Sequence, residues 1–398
     1  MVDISVNIAG IEFRNPVMNA AGPPGKDGKA LQEVARGGAG GLVAKTISIN
    51  PAEVPRPCMV VVDRGELHFH GLFTLQDRLV RVTKSMLKVP RGLMNAELWS
   101  DIPYEQWLER EYGAAKMTGL PLIASIGYTA DEVMQLGPLV QKAGVDAIEF
   151  STHYLGTDPK PIIDVTKTLK EVVDIPIFAK LSPHAADISL FARAVEASGA
   201  DGIVAINTLG PCLHIDVETG RPLLGGKDGF GWLSGPAIKP LAVRCVADIA
   251  RTVKIPVIGV GGIMNGTDAV EHIMAGASAV QVCSGAIVEG PTIYGRIAKE
   301  IGAFLKGHGY DSVEDIRGIA LPHLPQKPLR TKAVPPSVNE ELCKGCTICE
   351  RTCNYDAIKL VGKGELVKVL IDEEKCYGCG LCVSICPTRA LAFKDNAK

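Results

Sequence analysis

Short apolar runs alternate with longer amphipathic stretches over most of the chain. Eight runs rich in β-branched and small apolar residues recur: Pro16–Ala21, Gly41–Thr46, Leu122–Gly127, Ala147–Thr152, Ile177–Ser182, Gly202–Asn207, Val257–Ile263 and Ala279–Ser284. Runs this short and this continuously apolar suit parallel strands buried on both faces. Between them, apolar positions recur at helical spacing, as in Ala130–Ala143, Ala186–Ser198 and Ile238–Thr252. Glycine turns precede several strands, at Lys142-Ala143-Gly144, Ser198-Gly199-Ala200 and Ala275-Gly276-Ala277. Eight strand–helix units over residues 1–320 predict an α/β fold, a (β/α)₈ TIM barrel. A doubly wound sheet would carry Gly-x-Gly-x-x-Gly after its first strand, and the sequence has none there.

The rhythm stops at residues 321–338. Pro322, Pro325, Pro328, Pro335 and Pro336 mark an extended linker. Residues 339–398 then carry two Cys-x-x-Cys-x-x-Cys-x-x-x-Cys runs, Cys343, Cys346, Cys349, Cys353 and Cys376, Cys379, Cys382, Cys386. Zinc sites pair their ligands in twos, and disulfides need an oxidising compartment, so neither fits this rhythm. The spacing is that of a bacterial-type ferredoxin with two 4Fe–4S clusters, and predicts a small ferredoxin-like α+β domain. Three thiolates of one loop cap three irons, and in such ferredoxins the last cysteine of each run serves the other cluster. That resemblance implies one set of Cys343, Cys346, Cys349 and Cys386, and another of Cys376, Cys379, Cys382 and Cys353. Asn354 stands where proline is common after the fourth cysteine, but that position is not a ligand.

Composition narrows the function classes. The chain has 398 residues, 46% of them apolar, with 43 glycines and a net charge of −2. This balance suits a large α/β core and offers no electrostatic footprint for nucleic acid or an anionic membrane. The opening Met1-Val2-Asp3-Ile4-Ser5 lacks a signal-peptide pattern, and no apolar run reaches membrane-spanning length. A cytoplasmic location is expected. Cys58, Cys212, Cys245 and Cys283 lie outside the two runs and read as small buried apolar residues.

In a barrel the chemistry belongs at the C-terminal ends of the strands. Gly261-Gly262 after the seventh strand and Ser284-Gly285 after the eighth offer backbone N–H groups of the kind that bind phosphate. Lys45 and Lys180 sit where strand ends converge. A buried lysine there would stabilise negative charge on a reduced heterocycle.

Residues 1–320 resemble the class 1 dihydroorotate dehydrogenases and the FMN domain of dihydropyrimidine dehydrogenase. The resemblance is carried by Val6-x-x-Ala9-Gly10 leading to Asn15-Pro16, Asn19-Ala20-Ala21-Gly22, Ala44-Lys45-Thr46 and Ala179-Lys180-Leu181-Ser182-Pro183. Asn207-Thr208, Gly229-Phe230-Gly231-Trp232-Leu233-Ser234-Gly235, Val260-Gly261-Gly262-Ile263 and Ala275–Ser284 complete it. It implies one FMN. Ala21, Gly22, Lys45, Thr46, Lys180, Asn207 and Thr208 would line its ring and ribityl chain. Gly235, Gly261, Gly262, Cys283 and Ser284 would reach the lower chain and phosphate. It also implies a small-molecule substrate whose carbonyl-conjugated C=C is reduced, or formed, by flavin hydride transfer and a side-chain proton. The clusters imply a separate electron donor, an NAD(P)H/FAD-binding protein or a ferredoxin, and the family implies a homo-oligomer.

The departures fall on the substrate side. Where the family places its acidic cysteine after the fourth strand, this chain reads Ile148-Glu149-Phe150-Ser151-Thr152-His153-Tyr154-Leu155-Gly156, with Tyr154 at that position. Ser151 and Gly156 replace its flanking asparagine-type residues. The asparagine expected ahead of Gly92-Leu93-Met94-Asn95 is also missing, and Asn207 alone clearly remains. Each unpaired buried polar edge of a substrate costs about 1–3 kcal/mol. The loss predicts a substrate that is not a standard pyrimidine. Tyr154 is the first candidate acid and His153 the second, with Lys45 assisting. Ser151, Asn95, Asn207 and Cys212 are candidate substrate-facing residues. His184, His214 and Arg91 are further polar candidates, and His68 and His70 lie in an alternating stretch of unassigned role. Two other readings stay open: the catalytic subunit of an NAD(P)-linked dihydropyrimidine dehydrogenase, and a non-catalytic electron-transfer subunit.

Overall fold

The computed structural model describes residues 2–62, 91–151, 156–185, 187–327, 331–362 and 368–393. They form two compact units, Met1–His323 and Leu324–Lys398.

In the first unit the strands are β1 (Val17–Asn19), β2 (Leu42–Val43), β3 (Leu122–Ile126), β4 (Ala147–Ser151), β5 (Ile177–Leu181), β6 (Gly202–Ala205), β7 (Val257–Val260) and β8 (Ala279–Val282). They pair in parallel in the order β1-β8-β7-β6-β5-β4-β3-β2. An isolated parallel bridge, Met18 to Gly41, joins the two edges, so the predicted barrel closes. Asn19 reinforces this seam: its side chain accepts from the Val43 N–H at 2.9 Å and donates to the Val43 carbonyl.

Strand residues are buried on both faces, which explains their unbroken apolar sequence. The interior is filled by Met18, Val43, Ile123, Ala147, Phe178, Val204, Ile258 and Ala279, with at least one side chain from each strand. An N-terminal hairpin, Val6–Ile8 with Ile11–Phe13, adds Ile8 and Phe13 to this cluster. Its two turn residues, Ala9 and Gly10, both have positive φ, the twist a two-residue hairpin requires.

The outer helices packed around the barrel sheet are α1 (Gly28–Arg36), α2 (Ala130–Lys142), α3 (Lys160–Val172), α4 (Ile188–Ala197), α5 (Lys239–Ala250), α6 (Gly266–Met274), α7 (Ser284–Glu289) and α8 (Ile293–His308). Four of them, α1, α2, α4 and α6, begin at polar side-chain caps. Thr129 with Glu132 and Asn265 with Asp268 form capping boxes. The expected start of α4 at Ala186 moves to Ile188, because the Asp187 carboxylate caps the N–H groups of Ser189 and Leu190.

One element was not expected. Met59–Val62, Gly92–Asn95, Gly231–Ser234 and Leu209–Cys212 form a four-stranded antiparallel sheet outside the barrel. Its strands come from loops that follow β2 and β6, and their sequence separation hides the pairing.

In the second unit Ser337–Val338 pairs with Leu391–Ala392, and Ile358–Val361 pairs with Lys368–Ile371. Short helices, Ile348–Arg351 and Leu381–Ile385, each carry the third cysteine of a run, Cys349 and Cys382. The stretch read as linker therefore ends in a strand. Pro335 and Pro336 favour extended backbone immediately before it.

Candidate active site

The C-terminal strand ends surround a cavity of about 460 Å³, within the range typical of ligand sites. Ala21 and Gly22 reach it from β1, Lys45 and Thr46 from β2, Tyr128 from beyond β3 and Lys180 from β5. Asn207 and Thr208 follow β6, Gly261 and Gly262 follow β7, and Gln281, Cys283 and Ser284 belong to β8 and its end. The antiparallel sheet supplies a wall through Met59, Leu93, Asn95, Trp232 and Ser234, and Gly235 adjoins it.

Both lysines are held by carboxylates. Lys180 donates to Glu149 at 3.2 Å, and Glu149 accepts from the Gln281 amide at 2.8 Å through its other oxygen. Glu149 is wholly buried on β4. Lys45 forms an ion pair with Glu97, which follows the sheet strand Gly92–Asn95. The second Glu97 oxygen accepts from the Cys58 thiol at 3.2 Å. Burial first, then Glu97, raises the Cys58 pKa and keeps this thiol a donor. Burial pushes the Cys283 thiol up to about 11, against the pull of Lys180 and Lys45. Burial, with the Glu132 charge, likewise raises the Tyr128 phenol.

These residues fit the FMN that the resemblance implies. The Gln281 carbonyl oxygen is buried at the cavity with no hydrogen-bond partner among the described residues. Gly261 and Gly262 have φ of +127° and +76°, and a Cβ on Gly262 would lie 2.4 Å from Lys239 Cβ. This turn therefore admits only glycine, and leaves its backbone accessible to an anion. Beneath it, His272 meets the Gly261 carbonyl at 3.1 Å. Burial drives the His272 pKa down to about 4, so the ring is neutral near pH 7.

The other expected residues are distributed as follows. Ser151 is buried on β4 and accepts from the Asn207 amide at 3.3 Å, without itself lining the cavity. Cys212 lies in the antiparallel sheet, packed with Met94, Ala96 and Leu224, and is not among the lining residues. His184 is also set back. Its Nε2 accepts from the Gly210 N–H at 3.0 Å, its ring meets Trp232 edge-on, and burial lowers its pKa. His153, Tyr154, His68 and His70 lie outside the described residues.

Glu97, Glu149, Gln281 and Trp232 escaped the sequence reading of chemistry. Two of them carried a signal, since Glu149 and Gln281 are polar residues inside otherwise apolar parallel strands. Glu97 carried none, because its partner Lys45 is distant in sequence.

In the second unit, one small cavity is lined by Cys343, Cys346, Cys349 and Cys386. Another is lined by Cys353, Cys376, Cys379 and Cys382. Each gathers three thiols of one run and the last of the other. No group among the described residues converges as ligands of a single metal ion do. Four separated thiols suit a cubane, whose irons lie at its corners. Burial raises the Cys386 thiol, but the Thr388 hydroxyl and the Ala390 N–H outweigh it and lower the pKa, favouring thiolate.

Sequence comparisons agree with this chemistry. Residues 151–305 match the dihydroorotate dehydrogenase family model, and residues 342–390 match the 4Fe-4S dicluster domain. A protein of Methanothermobacter thermautotrophicus is 36% identical over 319 residues, covering 80% of this chain and 98% of that protein. Relatives in Methanosarcina mazei and Methanocaldococcus jannaschii are 38% and 37% identical, covering 79% and 80% of this chain and 94% and 98% of their own lengths. All three are named dihydroorotate dehydrogenase B (NAD(+)), catalytic subunit. The barrel that gathers two carboxylate-held lysines and a glycine cradle, followed by two four-cysteine cavities, thus belongs to the dihydroorotate dehydrogenase family, as an oxidoreductase of CH–CH bonds that uses FMN and two 4Fe–4S clusters.

Proposed function

We propose that this chain is the catalytic unit of a flavin and iron–sulfur oxidoreductase whose substrate is a carbonyl-conjugated C=C compound other than uracil, thymine or orotate. The carrying observation is the state of Asn207, the retained asparagine. Its amide N–H donates to Ser151, and its carbonyl oxygen accepts from the Thr208 N–H at 2.9 Å. The side chain that would grip a pyrimidine edge is thus engaged within the protein.

FMN supplies hydride transfer when bound. The protein's part is positioning and charge. Lys180, fixed by Glu149, presents a cation where negative charge develops, and Gln281 offers its free carbonyl oxygen to a donor. Tyr154 is proposed as the group that holds and delivers the proton, with His153 as its alternative. The clusters would exchange electrons with a separate NAD(P)H/FAD-binding or ferredoxin protein, and the working form would be a homo-oligomer.

The relatives, named dihydroorotate dehydrogenases, favour a second reading in which dihydroorotate is the substrate, and the resemblance to dihydropyrimidine dehydrogenase adds a dihydropyrimidine to it. One anaerobic experiment separates the two. The purified protein is reduced, and flavin absorbance is followed on adding uracil, thymine or orotate. No reoxidation by any of them is expected, and rapid reoxidation would establish the second reading. With an active substrate in hand, Tyr154→Phe should lose turnover and keep FMN. Unchanged turnover would remove Tyr154 as the acid.

A further inference from the structure

The charges around the cavity cancel in a way that bears on its substrate. Among the described lining residues, Lys45 and Lys180 are the cations and Glu97 is the anion. Each lysine already faces a carboxylate, Lys180 facing Glu149 from beneath and Lys45 facing Glu97 within the cavity. Neither partner is a solvated surface group, because Lys45 and Glu97 side chains are only 8% and 16% exposed.

Glu97 is also held in place. One oxygen takes the Lys45 ammonium, the other takes the Cys58 thiol, and its own N–H donates to the Asn95 side chain at 3.2 Å. Arg56 donates to the Cys58 sulfur at 2.9 Å, extending the chain of contacts outward. A carboxylate so anchored is a fixed part of the wall. A substrate carboxylate approaching Lys45 would meet Glu97 at close range in a poorly solvated site, where like charges repel strongly.

From this geometry we infer that Glu97 determines specificity, admitting an uncharged carbonyl-conjugated substrate and rejecting its carboxylate counterpart. The inference rests on the function proposed above and narrows it to neutral amides, esters, thioesters or lactams. Glu97 acts by spending the charge of Lys45, so its removal should open the site to anions.

Orotate and its methyl ester share one ring and differ in charge, which makes them the probes. Their binding to the oxidised holoenzyme is titrated by flavin absorbance in the unaltered protein, in Glu97→Gln and in Glu97→Asp, with FMN content measured in each. In the unaltered protein the ester should bind at least about tenfold more tightly than the acid, a difference of about 1.4 kcal/mol. Glu97→Gln should tighten orotate about tenfold or more and change the ester less than about threefold. Glu97→Asp, which keeps the charge, should keep the discrimination. Equal binding of acid and ester by the unaltered protein would overturn the inference, whether or not Glu97→Gln retains its flavin. So would a Glu97→Gln variant that gains nothing for orotate. If neither compound binds any of the proteins, the pyrimidine ring itself is excluded, as the proposed function holds, and the same titrations are read with cinnamate and methyl cinnamate, where the lack of a preference for the ester overturns the inference. Turnover is scored separately: reoxidation of reduced flavin by orotate would refute the substrate reading, whereas the affinity ratios alone judge Glu97.

Discussion

The two units solve the problem of stability by different means. The barrel closes eight strands around an interior to which every strand contributes, and a hairpin adds two more buried side chains. The second unit has a core whose buried members are Cys349, Ile358 and Leu391, with three further cluster cysteines, Cys353, Cys382 and Cys386, packed against them only partly covered. Its Leu370, Tyr377, Leu381 and Ile385 are exposed. So short a segment rarely buries enough apolar surface to fold alone, and metal centres commonly make up the deficit. The barrel's fold is therefore a property of its apolar pattern, while the second unit's fold is tied to its iron.

The most severe test of that contrast is removal of the iron. Anaerobic chelation should unfold Leu324–Lys398 and leave the barrel folded, because metal binding and folding share one free energy in such units. Limited proteolysis should then release an intact fragment near Met1–His323, and equal protease resistance before and after chelation would break the comparison. Cysteine replacements sharpen it at the next level. Cys386→Ser and Cys343→Ser should each remove about half of the iron, and the double variant should still keep the other half. Cys386→Ser combined with Cys376→Ser should lose nearly all of it. Iron content that instead followed each run separately would contradict the crossed grouping.

Within the barrel, Phe178 is fully buried and fills the space left by Gly202, whose Cβ would lie 2.8 Å from its ring. Phe178→Ala should cost about 3–5 kcal/mol. The barrel's melting transition should fall while iron content stays unchanged. The smallest effect is expected from pH. His272 titrates near 4 in the folded barrel against about 6.5 unfolded, so the unfolded chain binds the proton first as pH falls. Its contribution is complete above pH 6.5 and declines as pH falls toward 4, amounting to about 3 kcal/mol. A His272→Gln variant should be less stable near pH 7 but should lose less stability than the unaltered protein between pH 6.5 and 4. Parallel declines in the two proteins would show that His272 does not carry this dependence.

Much of this molecule was legible before its structure. Strands buried on both faces must be apolar throughout, so eight such runs with helices between them spell a parallel barrel. Cluster ligands must recur at short fixed spacing, so the cysteine runs announce iron–sulfur chemistry. Strand ends also point to Lys45, Lys180, Gly261 and Gly262, because barrel topology places them at one mouth. What remained hidden depends on residues that meet only in space. The antiparallel wall pairs Gly92–Asn95 with Gly231–Ser234, and no local pattern links segments so far apart. Glu97 becomes informative only when that wall brings it to Lys45, and the engagement of Asn207 only when β4 and β6 place Ser151 beside it. Periodicity and spacing are local, so sequence determined the barrel, the clusters and the class of chemistry. Charge pairing and hydrogen bonding across loops are long-range, so tertiary structure alone decided how the cavity's charges are matched.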